Sequence, residues 1–119
     1  MAFTLKNLPY RTEKPRTKGL TLVLDKGYSV RQAEDLVESS SNYIDVVKLG
    51  WGTSYVTQNL EEKIAVYQNA DIPVYFGGTL FEAYLLRDQL DAYVNLMERY
   101  GISHVEVSNG TIWLSDDRK

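Results

Sequence analysis

Cysteine is absent from the 119-residue sequence, histidine occurs once and proline three times. Without a thiol there are no disulfides, no thiolate metal sites and no cysteine nucleophile. The one histidine, His104, stands at the start of an expected strand, away from the expected site, which leaves no histidine-based triad. No apolar run approaches the roughly 20 residues of a membrane span. The opening MAFTLKNLPY lacks the continuous apolar core of a signal peptide, so the expected setting is cytoplasmic. Basic charge is also short. Thirteen lysines and arginines stand against sixteen acidic residues, a net charge of −3. A nucleic-acid binder needs a basic face, so nucleic acid is not an expected partner.

What is present suits one ordinary globular domain, with 44% hydrophobic and 24% charged residues. Residues 1–18 read as a polar arm with Pro9, Pro15 and five basic side chains. Its charges read as solvated, with the arm a lead-in or a cover for the bottom of a barrel. Residues 19–119 then alternate short apolar runs with amphipathic segments. Leu20 to Leu24 reads as a first buried strand ending in Asp25, Lys26 and Gly27. Ser29 and Gln32 form a capping box, and Val30, Ala33, Leu36 and Val37 supply a helical stripe. A second strand runs through IDVVKLGWGTS, residues 44–54. A helix follows with Asn59 and Glu62 as cap pair and Leu60, Ile64, Tyr67 and Ala70 on its buried face. Residues 72–76 form a third strand, ended by Gly77 and Gly78, and Thr79 with Glu82 reads as a third capping box. Helix continues in two pieces to Tyr100, and residues 104–107, HVEV, read as a fourth strand.

Four strands and three main helices in strict alternation imply a parallel sheet with right-handed crossovers. Two architectures fit: half of a TIM-type barrel, or a flavodoxin-like open sheet. In either, the polar groups collect at the carboxyl ends of the strands. There stand Asp25 and Lys26; Lys48; Gly77, Gly78, Thr79 and Glu82; Glu106, Ser108 and Asn109. Burying an ammonium is costly unless it is paired or faces a polar site, so Lys48 is a site residue or a lysine whose head reaches water. Asp25 and Glu106 could offer oxygen ligands to Mg²⁺, or Asp25 could accept N–H groups of its own turn. The glycine pairs suit tight turns whose N–H groups could hold a phosphate. Trp51 reads as a packing lid.

The segments LTLVLDKG, YIDVVKLGWGTS, VYFGGTLFE and HVEVSNGT, in this order, resemble the amino-terminal half of the phosphosulfolactate synthase family. That resemblance implies a (β/α)₈ barrel adding sulfite to phosphoenolpyruvate with Mg²⁺, giving (2R)-2-phospho-3-sulfolactate in coenzyme M synthesis. It places Lys48, Lys26 and Glu106 as catalytic groups and Asp25 and Glu106 as metal ligands. Gly77, Gly78, Thr79, Glu82 and Ser108 would bind substrate. Asn109 departs from an aspartate usual in the family. The fifth to eighth strands, including a lysine-bearing strand expected to supply the general acid, have no counterpart here. The open edges of a half-barrel lead to the expectation of a homo-oligomer that closes them. The alternative to catalysis is a half-barrel acting as a folding or self-assembly module.

Overall fold

Each short β-branched run becomes a strand and each amphipathic segment a helix in the computed structural model, which describes residues 4–107. The order is β1 (Leu22–Asp25), α1 (Val30–Ser40), β2 (Val46–Leu49), α2 (Thr53–Val56), α3 (Leu60–Asn69), β3 (Val74–Phe76), α4 (Gly78–Leu86) and α5 (Leu90–Arg99). Among the described residues the strands form one sheet in the order β1-β2-β3, with both pairings parallel. This is an α/β fold with the layout of half a TIM-type barrel.

Register decides what each strand residue meets, because partners across a parallel pair share a face. Val23, Val47 and Val74 lie side by side, as do Asp25, Leu49 and Phe76. On this face Val47, Leu49, Val74 and Phe76 are buried in the core with Ala33, Ile64 and Tyr67 of the helices. Leu22 and Val46 lie together on the other face, and so do Leu24, Lys48 and Tyr75. Among the described residues that second face has no helix layer over it, and it would line a barrel's interior. Leu22 is accordingly half exposed rather than the buried strand residue its sequence suggests.

Ser29 caps α1 with both bonds of the expected capping box. The other two boxes are corrected. Asn59 sits in the left-handed region with φ 57° and makes no side-chain cap bond. A cap residue normally has extended backbone, and the left-handed one here departs from it. The cap position of α4 is Gly77, so Thr79 lies inside the helix. The first amide of α4 is satisfied from a distance: Gly78 N–H donates to Glu106 Oε1 at 3.0 Å.

The expected fourth strand is also corrected. His104 to Val107 makes no strand pairing. β3 has only three residues, so a ladder on its edge would make few bonds. The segment is held by the side chain of Glu106 instead. Most of the arm is exposed, but one of its charges differs from expectation. Arg16 and Asp45 form an ion pair at 2.9 Å with side chains only 4% and 7% exposed, not solvated charges. Arg16 also donates to Thr12 and Asn42 carbonyls, and Lys14 to that of Ser41, tying the arm beneath the amino ends of the strands. Burial works against the Asp45 carboxylate. The Thr21 N–H and the Arg16 guanidinium outweigh it and hold its carboxyl below the usual range.

Candidate functional site

Two lysine–carboxylate pairs stand at the carboxyl ends of the strands, on opposite faces of the sheet. The first is on the uncovered face. Lys48 Nζ lies 3.0 Å from Glu106 Oε1 and 2.8 Å from Oε2, with the side chains 24% and 33% exposed. Glu106 Oε1 also accepts the Gly78 N–H, so an ammonium and the positive end of α4 converge on one carboxylate. Tyr75 lies beside Lys48 in the register, and burial raises the pKa of its phenol. Tyr93, on α5, is buried against Phe76, Phe81 and Tyr84. Burial and the nearby Glu106 charge push its hydroxyl up to about 12. That hydroxyl has no hydrogen-bond partner among the described residues. A cleft of about 590 Å³ opens along the same face, lined by Leu20, Val46, Tyr75 and Glu106, with Lys14 and Arg16 of the arm.

Gly77 is a glycine because of close approach. A Cβ there would stand 3.0 Å from the Leu49 carbonyl oxygen and 3.3 Å from Lys48 Cε. Its own N–H donates to Leu49 O at 2.7 Å and is therefore taken, leaving Gly78 as the amide that faces the site.

The second pair lies on the helix face. Asp25 is fully buried, and Lys63 of α3 is 1% exposed. Asp25 Oδ1 accepts Gly27 N–H and Tyr28 N–H, each at 2.8 Å, and Lys63 Nζ at 3.2 Å. Oδ2 accepts the Tyr67 hydroxyl at 2.8 Å. Burial and the hydrogen bond to Asp25 raise the Tyr67 pKa far above its ordinary value, so the phenol stays protonated and donates.

Of the residues expected at the site, Lys48, Gly77, Gly78 and Glu106 are brought together. Lys26 stands at the end of β1 with Nζ 4.7 Å over the Trp51 ring. Trp51 is 60% exposed and is a surface platform for that ammonium, not a lid. Its backbone is left-handed, φ 51°. Glu82 is buried within α4. His104 is exposed and contacts Ser103 Oγ. Ser108 and Asn109 lie outside the described residues.

A Mg²⁺ held jointly by Asp25 and Glu106 does not fit this geometry. Among the described residues the two carboxylates share no hydrogen-bond partner, and the oxygens of Asp25 already take four donors. No cluster of three or more histidine, aspartate or glutamate side chains that could hold a metal occurs among the described residues. Sequence reasoning missed Lys63, although a signal existed. It stands three residues after Leu60 and four before Tyr67, on the apolar stripe of α3.

A parallel (β/α) fold of TIM-barrel type, with a lysine and a helix amino end meeting on its uncovered face, defines the class. Comparison with known proteins narrows it. The model of the (2R)-phospho-3-sulfolactate synthase (ComA) family matches residues 9–119, and the chain belongs to that family. It is 41% identical over 112 residues to a phosphosulfolactate synthase of Bacillus subtilis, covering 94% of this chain and 44% of that protein. Similarity to the phosphosulfolactate synthase of Methanothermobacter thermautotrophicus is 41% over 113 residues, covering 93% and 44%. For that of Methanocaldococcus jannaschii it is 43% over 105 residues, covering 86% and 42%. The chain thus spans less than half the length of these relatives.

Proposed function

We propose that this chain carries the anion-receiving part of a phosphosulfolactate synthase-type site, for addition of sulfite to phosphoenolpyruvate. The observation that supports this most is the convergence of Lys48 Nζ and the Gly78 N–H on one carboxylate oxygen. Two donors arranged to hold a carboxylate suit an anionic substrate group in the same place. The reaction requires such a group. As the sulfite sulfur bonds to C3 of phosphoenolpyruvate, the double-bond electrons move toward C2 and the carboxylate. A cation beside that carboxylate stabilises the enolate-like charge until C2 takes a proton. Lys48 is assigned that role, and Glu106 holds its ammonium in place before substrate arrives. The proton donor is assigned to the part of the family barrel beyond this chain. Magnesium, when bound, supplies electrophilic stabilisation of the same charge. On this chain Glu106 is the carboxylate that could hold it together with substrate oxygens and water, whereas Asp25 is not.

The test is phosphoenolpyruvate consumption with Mg²⁺, with and without sulfite, by the chain alone and mixed with the remaining half of a relative's barrel. Sulfite-dependent loss that disappears in Lys48→Met supports the assignment. Loss unchanged in Lys48→Met contradicts it.

A second reading is favoured by the exposed apolar side chains around the open face, Leu20, Leu22, Val105 and Val107. They suit closure by a further βα half or by a second copy, and the chain then acts as an assembly module. Light scattering tests it. A monomer stable to dilution, unchanged by the other half-barrel, counts against the module.

A further inference from the structure

Asp25 accepts four hydrogen bonds, yet it faces away from the site. Its bonds explain what it does there. Two of its four donors are the amides of Gly27 and Tyr28, which follow Lys26 directly. The other two, Lys63 and Tyr67, sit one helical turn apart on α3. Lys26 is therefore flanked by backbone anchored to a helix on the far side of the sheet. Gly27 completes the turn at φ +112°, a conformation that other residues rarely adopt. The partner of Lys26 is fixed by the same region. A Cβ on Gly50 would stand 2.6 Å from Leu24 Cδ1 and 3.5 Å from the Asp25 carbonyl, so the turn bearing Trp51 packs against the end of β1. An exposed cation–π contact is weak beside the rotamer freedom of a lysine, and it persists only where both backbones are already set.

We infer that Asp25, Lys63 and Tyr67 form a positioning unit for Lys26. They lock the β1–α1 turn and so present the Lys26 ammonium over Trp51 at the carboxyl edge of the sheet. The carboxylate expected to ligate a metal instead fixes the loop that carries a cation. A role for Lys26 toward an anionic substrate would rest on the phosphosulfolactate synthase-type reading above, which the family resemblance extends to Lys26. Its positioning does not, and is read without turnover.

The experiment uses the full chain with Trp113→Phe, which leaves Trp51 as its one tryptophan. Trp51 emission and acrylamide quenching are compared with and without Lys26→Met, in the parent and in Lys63→Met and Tyr67→Phe, with far-UV circular dichroism as the folding control. The expected result is a Lys26-dependent difference in the parent that is lost in both variants while helix is retained. Should Lys63→Met fail to fold, Tyr67→Phe decides. A Lys26-dependent difference of parental size in the folded variants overturns the inference. So does the lack of any difference in the parent, or a Mg²⁺-induced emission change that Asp25→Asn removes.

Discussion

Lys63–Asp25 and Lys48–Glu106 are the same chemical pair in two solvents. The first is sealed on the helix face with exposures of 1% and 0%, and the second is a quarter to a third exposed on the uncovered face. The sealed pair has its charge and its lone pairs answered by Tyr67 and two backbone amides, so no room is left for a ligand. The open pair keeps water access and adds a helix amino end. Burial, not residue type, separates a structural ion pair from one available for chemistry.

Substitutions should expose that difference. Lys63→Met leaves Asp25 buried without its cation and is expected to cost about 3–5 kcal/mol in urea unfolding. Lys48→Met, the matching change on the open face, is expected to cost less than about 1 kcal/mol by the same measurement. Equal losses would break the comparison. Tyr67→Phe removes one hydrogen bond from the sealed pair and should cost about 1–2 kcal/mol. Gly77→Ala forces a methyl against Leu49 O and Lys48 Cε. It should cost about 1–3 kcal/mol and disturb the open pair, read as faster hydrogen exchange at the Gly78 amide.

Arg16–Asp45 offers a third, pH-dependent case. The Asp45 pKa is lowered in the fold from its ordinary 3.8. Its contribution is therefore present above that value and is lost as pH falls through the lower, folded one. Acid unfolding of Asp45→Asn should show less loss of stability than the parent across that window. Parallel curves would remove Asp45 from the account.

Much of this arrangement was legible in the residues. The alternation of β-branched runs and amphipathic segments implied the parallel layout, Ser29 and Gln32 marked a helix start, and Lys48 stood out as a lysine in an apolar strand. Glu106 was paired with the right edge of the sheet. The misses have a common cause. A strand-end position suits Asp25 either as a metal ligand or as an acceptor for its own turn, and the parity of β1 against β2 sends it to the helix face, where it takes the second role. Arg16 and Asp45 lie 29 residues apart, and nothing local connects them. The strand expected at residues 104–107 depends on a neighbour able to pair with it, which short-range pattern does not report. The cap of α4 comes from Glu106, 28 residues beyond Gly78, where a local box with Thr79 was the nearer reading.

The proposed function requires that the open pair receive anions and the sealed pair not. The direct measurement is a phosphoenolpyruvate titration of the ¹⁵N-labelled chain by NMR. Saturable shifts are expected at the Gly78 amide, lost in Lys48→Met, with the Gly27 and Tyr28 amides held by Asp25 unmoved in the Lys26→Met background. Shifts centred on Gly27 and Tyr28 in that background, with Gly78 unmoved, would contradict it.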